Sequence, residues 1–275
     1  MKRACHWHAL KIFTMVKYFM TKIQGPNFFI IGAAKSGTTS LSSLLDSHPD
    51  AGIVSGKEPH YFSEDGIYRR GWERYLTLFR HCAEKRVRGD ASTSYSRIRY
   101  HPRVIQRIYR RVPHAKIIYM VRHPLKRMES AYIEHLCTPG GPVFRSVNEA
   151  VRRHPMIVDS SRYGEVLDAY WNYFGEPQIK VVWFEEYVAQ PLAVFHEICR
   201  FLGICDTATP VLSAESINSR EKARDRMARI GRSDFQIDTK WDEDTRAWAV
   251  DQIREDNCRF LKKVGRPIDH WGNVY

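Results

Sequence analysis

Gly32-Ala33-Ala34-Lys35-Ser36-Gly37-Thr38-Thr39-Ser40 gathers two glycines, one lysine and four hydroxyl side chains into a single short stretch. The glycines have the G-x-x-x-x-G spacing of a loop that cradles phosphate. Gly32 permits a sharp turn, Gly37 lets backbone approach an anion, and the hydroxyls of Thr38 and Thr39 are ready donors. A nucleotide triphosphatase loop would carry lysine at position 38. Here that position is threonine, and the lysine lies inside the loop at Lys35. Such an enzyme also needs a carboxylate at the end of a neighbouring strand to hold Mg²⁺. The next apolar run, Ile117 to Val121, leads instead into Arg122. A cation there repels a metal and attracts an anion, so the spacing predicts a phosphate site built from protein cations without metal.

Arg122 opens a second anion element. Ser130 follows eight residues later, two turns along a predicted helix. An arginine can grip a phosphate bidentately and a serine can add a donor. Lys126 and Arg127 are expected to face solvent or to pair with acids.

The elements that must position these groups are legible as alternating patterns. Phe28-Phe29-Ile30-Ile31, Ile117 to Val121 and Ile179 to Phe184 are short continuous apolar runs, as in buried parallel strands. Helical spacing follows in Leu41, Leu44 and Leu45, in Trp72, Tyr75, Leu76 and Phe79, and in Val104, Ile105 and Ile108. It recurs in Leu125, Met128 and Tyr132, and in a long face from Tyr163 to Phe174. Further helices are expected over 191–202 and about 242–264. Ser161 is a candidate N-cap, and 137–161, with its Pro and Gly, a candidate lid. The alternation predicts one α/β domain over 26–275, a central parallel sheet flanked by helices. Residues 1–25 read as a basic, poorly ordered extension.

Lys plus Arg number 43 against 31 Asp plus Glu, a net charge of +12. That excess points to an anionic partner, but no recognised nucleic-acid motif accompanies it and none is expected as a partner. No apolar stretch is long enough to span a bilayer, and the absence of a signal pattern points to a cytoplasmic enzyme. The six cysteines include no C-x-x-C pair, which favours free thiols. Cys5, His6 and His8 are too clustered at a terminus to be read as a metal site.

With both anion elements in place, the chain resembles the sulfotransferases that use 3′-phosphoadenylyl sulfate (PAPS). Ile31 to Leu41 is similar to their 5′-phosphosulfate loop, and Arg122 to Ser130 to their 3′-phosphate element. Lys57-Glu58-Pro59-His60-Tyr61-Phe62 looks like the acidic active-site segment of the heparan-sulfate-type branch, and Trp248 to Trp271 like the carboxyl-terminal region of bacterial members. The resemblance implies a P-loop-kinase-like fold. It also implies that Lys35, Ser36, Gly37, Thr38, Thr39 and Ser40 hold the 5′ end of PAPS, that Arg122 and Ser130 hold the 3′-phosphate, and that 3′-phosphoadenosine 5′-phosphate (PAP) is the product. Glu58 corresponds to the carboxylate that deprotonates the acceptor, with His60 and Asp90 as alternatives. Two departures stand out. Ala91 replaces a lysine of the heparan-sulfate type, and Asn218-Ser219-Arg220-Glu221-Lys222 replaces that branch's late basic donor loop, leaving Arg220 and Lys222 as weak donor candidates.

The implied reaction is in-line sulfuryl transfer, with Lys35 stabilising the leaving side and Glu58 as base. The acceptor is a hydroxyl or amine, an anionic saccharide among the candidates, with Arg69, Arg70, Arg97 and Arg99 placed to meet it. The alternative is a P-loop small-molecule kinase using Mg-ATP.

Overall fold

The computed structural model describes residues 24–56, 58–207, 220–272 and 274. The N-terminal extension expected up to residue 25, with Cys5, His6 and His8, lies outside them but for its last two residues. So do Lys57, Asn218, Ser219 and the side chain of Arg220.

Strand β1 (Phe28–Gly32) leads into helix α1 (Thr38–Asp46) and strand β2 (Ala51–Ile53). Two short helices follow, α2 (Asp65–Tyr68) and α3 (Trp72–Leu76), the second continued by a 3₁₀ turn over Thr77–Cys82. Strand β3 (Val87–Asp90) ends in a 3₁₀ turn, Thr93–Ser96, and helix α4 (Val104–Arg111) leads to strand β4 (Lys116–Val121). Helices α5 (Pro124–Leu136), α6 (Val147–Arg153), α7 (Pro155–Asp159) and α8 (Tyr163–Trp171) precede strand β5 (Ile179–Trp183). Helices α9 (Phe184–Ala189), α10 (Pro191–Leu202), α11 (Arg220–Arg229) and α12 (Glu243–Lys263) complete the described chain.

The five strands form one parallel sheet in the order β2-β3-β1-β4-β5. Successive strand residues point to opposite faces, and the core divides accordingly. Phe28, Ile30, Ile118 and Met120 pack with Leu41, Leu44 and Leu45 of α1 and Phe195 and Ile198 of α10. Phe29, Ile31, Ile117, Tyr119 and Val121 pack on the other side with α4, α5, α8 and α12 through Ile108, Met128, Leu167 and Phe260. Both faces are therefore apolar, which is why β1 and β4 read as unbroken hydrophobic runs. No helix among the described residues is long and apolar enough to cross a membrane.

β2 and β3 depart from the sequence expectation. β3 reads Val-Arg-Gly-Asp yet is buried throughout. Arg88 donates its Nε to the Gly25 carbonyl at 2.9 Å and its Nη2 to Gln24 at 2.8 Å. Asp90 accepts from the hydroxyls of Tyr75, Tyr95 and Ser92 at 2.6, 2.7 and 2.7 Å. A side chain on Gly89 would fall 2.2 Å from the Phe28 ring, so β1 and β3 can lie side by side only with glycine there.

Three further expectations are corrected. Arg127 does not face solvent. It is buried on α5, where it donates to Ser161 Oγ at 2.6 Å and to the Ile157 carbonyl. Burial pushes its pKa down to about 10, so it remains charged at neutral pH. Ser161 is consequently no N-cap; the opening N–H groups of α8 are taken by Asn257 and Asp256 of α12. The face running to Phe174 leaves the helix at Trp171. Within the candidate lid, 137–161, two short helices are packed through Val147, Ala150, Val151, Ile157 and Val158, all buried, after an irregular stretch over 138–146.

Candidate functional site

Because the strands are parallel, their carboxyl ends share one edge, where ligands of open α/β sheets bind. β1 lies between β3 and β4, so the segments leaving these three strands converge. Ala33 donates its N–H to the Met120 carbonyl at 2.6 Å, holding the start of the loop against β4. On the other side Gly32, at φ 140°, leaves no room for a side chain: a Cβ would lie 2.2 Å from Ser96 Oγ in the turn after β3.

The loop then curls through left-handed backbone at Lys35 (φ 72°) and Gly37 (φ 88°). Gly37 precedes α1 without any side-chain cap, so the first-turn N–H groups and the positive end of the helix are available to an anion. Ser36 Oγ is buried beside them without a hydrogen-bond partner. Buried hydroxyls normally have one, and an anion seated in the loop would supply it. Thr38 is buried and Thr39 exposed. The Ser40 hydroxyl is engaged with Tyr187 Oη at 2.8 Å.

Lys35 extends to α5, where its Nζ donates to Glu134 Oε2 at 2.9 Å. Arg226 of α11 grips the same carboxylate with both Nη atoms, at 3.0 and 2.8 Å. The Arg226 hydrogen bonds, and then Lys35, hold the Glu134 carboxyl down to about 2 against the opposing effect of burial. Arg122, one residue beyond β4, donates Nη1 to the Lys35 carbonyl at 3.1 Å and lies over the Phe184 ring at 4.4 Å. Burial lowers its pKa, and no carboxylate among the described residues lies within ion-pair distance of it. Ser130 is half-buried on α5. Lys35 and Arg122 thus meet through a direct contact, as two cations beside an uncapped helix.

Glu58 approaches from the β3 side with left-handed backbone, φ 48°. Its Oε2 accepts from Thr93 Oγ1 at 2.9 Å and lies 3.7 Å from His60 Nε2. The His60 ring is fixed at its other nitrogen by Ser94 Oγ at 2.7 Å. Glu58 keeps about a quarter of its side-chain surface, 23%. Asp90 is fully buried with its oxygens held by three hydroxyls, and this removes it as an alternative base. Burial raises its pKa while those hydroxyls pull it back.

Of the four arginines expected to meet an acceptor, Arg97 is the one drawn into this region. Burial lowers its pKa, the Glu58 charge opposes that effect, and its Nε has no hydrogen-bond partner. Arg99 pairs with Glu165 at 2.8 Å and lies 3.8 Å from Asp159. Arg69 and Arg70 are exposed. His135 and His154 pack edge to face at 4.6 Å. Burial, the neighbouring His154 and Arg97 push His135 down to about 4.

Glu134, Arg226 and Thr93 were not anticipated from the sequence. Glu134 lies one helical turn beyond Ser130 on the same helix, which is a usable signal. Arg226 has none, because its contact depends on how α11 folds back. Lys222 is exposed on α11. No group of three His, Cys, Asp or Glu suited to a metal ion occurs among the described residues.

Comparison with known proteins gives a consistent picture. The sulfotransferase domain family matches residues 25–226. Heparan sulfate glucosamine 3-O-sulfotransferase 6 of Homo sapiens is 33% identical over 187 residues, covering 65% of this chain and 52% of its own length. The 3A1 enzyme of Mus musculus is 30% identical over 188 residues, covering 66% and 46%. The chain spans about half the length of these curated relatives. Among solved structures, a sulfotransferase from Alicyclobacillus acidocaldarius superposes with a TM-score of 0.70 at 28% identity, covering 90% of this chain and 99% of that one. The sulfotransferase domain from the curacin biosynthetic pathway shares the fold at a TM-score of 0.52 and 16% identity, over 89% and 99% of the two chains.

Proposed function

This chain belongs to the sulfotransferase domain family, and on that premise we propose that it transfers the sulfuryl group of PAPS to a hydroxyl or amine of an acceptor. The observation that carries the reading is the contact of Arg122 Nη1 with the Lys35 carbonyl. It joins the cationic loop to the cation after β4, where an ATP-dependent enzyme would need a carboxylate for Mg²⁺.

The residues present fit the donor. The uncapped start of α1, the unpartnered Ser36 hydroxyl and Lys35 suit a 5′-phosphosulfate. Arg122, free of carboxylate partners, suits the 3′-phosphate that distinguishes PAPS from ATP, with Ser130 as a second donor. The donor supplies an activated sulfur–oxygen bond. The acceptor oxygen or nitrogen attacks sulfur as the bond to the 5′-phosphate oxygen breaks, and PAP departs with that electron pair. Lys35 neutralises the charge growing on the leaving oxygen. Glu58 takes the acceptor proton, oriented by Thr93 and next to His60.

The heparan sulfate glucosamine enzymes among the relatives support a saccharide acceptor, and Arg97 offers a cation to an anionic one. The test is a thermal-shift titration with PAP, ADP and Mg-ATP on wild type and Lys35→Ala. A ligand at 100 times its Kd adds about 2.7 kcal/mol, a shift of several degrees for a domain of this size. A shift with PAP that is weaker with ADP and reduced in Lys35→Ala supports the reading. A shift with Mg-ATP alone returns the chain to the kinases.

A further inference from the structure

The lysine that should meet the phosphosulfate also has a partner within the protein. Lys35 Nζ lies 2.9 Å from Glu134 Oε2. Glu134 is in turn gripped by Arg226 through both of its oxygens. A carboxylate beside an anion site is a like charge for the incoming ligand, and it competes for the same ammonium. We propose, building on the donor assignment above, that Glu134 is a positioning residue that occupies Lys35 when the donor is absent, and that Arg226 holds the carboxylate back when Lys35 turns to the phosphosulfate.

Three features support this exchange. Glu134 is on α5 and Lys35 on the loop after β1, so rotation of one lysine side chain makes or breaks the contact without moving an element of the fold. The carboxylate keeps two hydrogen bonds from Arg226 when Lys35 leaves, so it is never stranded as an unpaired charge. Lys35 is mostly shielded from water, with 19% of its side-chain surface exposed. It too is therefore better paired at every stage, first by Glu134 and then by the ligand.

The arrangement has a kinetic consequence. Glu134 weakens the hold on PAP after transfer, because it is present to recapture Lys35 as the product leaves. A purely structural Glu134, serving only to orient Lys35, predicts the opposite sign: its loss would weaken PAP binding.

The experiment measures the Kd and dissociation rate of PAP by calorimetry and stopped flow on wild type, Glu134→Gln, Arg226→Gln and the double variant, with circular dichroism to establish folding. Glu134→Gln is expected to bind PAP about three- to tenfold more tightly, the scale of one partly exposed ion pair, and to release it more slowly. Arg226→Gln is expected to bind more weakly, since Glu134 then answers only to Lys35. The double variant should regain the affinity of Glu134→Gln, a non-additivity that marks one coupled unit. Equal or weaker binding by Glu134→Gln overturns the competitor role. A loss in Arg226→Gln that persists in the double variant overturns the restraining role of Arg226 and makes it a direct ligand contact. Failure of wild type to bind PAP overturns the donor assignment and this inference together. If Glu134→Gln does not fold, Glu134→Ala and Arg226→Gln decide by the same signs.

Discussion

The phenol of Tyr163 donates to the carbonyl oxygen of Arg122 at 2.6 Å. One buried side chain thereby ties the first turn of α8 to the residue that leaves β4 into the anion site. The same turn is held from the carboxyl-terminal helix: Asn257 accepts from the Tyr163 N–H, and Asp256 from the N–H groups of Gly164 and Glu165. The orientation of Arg122 therefore depends on Asp256 and Asn257 of α12, more than 130 residues further along the chain.

Asp256→Ala leaves the buried N–H of Gly164 and the partly buried N–H of Glu165 at the start of α8 without acceptors. The expected cost is about 1–3 kcal/mol, read from urea denaturation. Gly164→Ala should destabilise the protein by another route, because its Cβ would lie 2.6 Å from the Asp256 carbonyl oxygen. Both variants should also weaken PAP binding through Tyr163. An Asp256→Ala protein of wild-type stability would show that water or another group caps α8.

Arg122→Gln should weaken PAP binding about ten- to hundredfold, the scale of charge-assisted hydrogen bonds to one phosphate. Binding of 5′-AMP, which lacks the 3′-phosphate, should change much less. Calorimetric titration with the two nucleotides gives the ratio. An equal loss for both would move Arg122 from the 3′-phosphate to the 5′ end.

Glu58→Gln should reduce kcat about 10²–10⁴-fold, the range for loss of a general base. The Kd of PAP should be unchanged, since Glu58 contacts Thr93 and His60 and not the loop around Lys35. Radiolabelled sulfuryl transfer to a heparosan oligosaccharide, paired with PAP titration, separates the two effects. Full turnover in Glu58→Gln would pass the role to His60.

His135 titrates at about 4 in the fold against an ordinary 6.5, mainly because it is buried and secondarily through His154 and Arg97. A depressed folded pKa means that the unfolded chain binds the proton more readily. The contribution of His135 is then fully present above pH 6.5 and lost progressively as the pH falls toward 4. Melting temperature should decline across that window, and His135→Phe should flatten the decline. The His135 imidazole proton signals should show a midpoint near the low value. A midpoint at 6.5 would mean that the ring is solvated.

The sequence revealed β1 and β4 because both of their faces are covered, which leaves near-continuous apolar runs, and β5 because Val181, Val182 and Trp183 continue that pattern at the sheet edge around a single Lys180. It hid β3 because Arg88 and Asp90 are tolerable inside only through partners outside the strand: Gly25 and Gln24, far back along the chain, for the arginine, and the hydroxyls of Tyr75 and Tyr95 for the acid. Arg127 misled for the same reason, since its partner is Ser161 across a helix–helix contact. The site divides along this line too. Lys35 and Arg122 stand out because each closely follows a recognisable strand. The Lys35–Glu134–Arg226 arrangement spans 99 and 92 residues, and no local spacing announces it.

Lys35, Glu58 and His60 are the non-glycine residues with left-handed backbone among those described. Residues with a Cβ resist that conformation by about 1–2 kcal/mol each, and glycine does not. Selection of variants for heat tolerance alone should therefore favour glycine at these three positions, and the hardier proteins it yielded would lack the cation, the carboxylate and the imidazole. Thermal robustness and turnover pull against each other at these turns, so a laboratory lineage grown hot without an activity requirement would lose its chemistry there first.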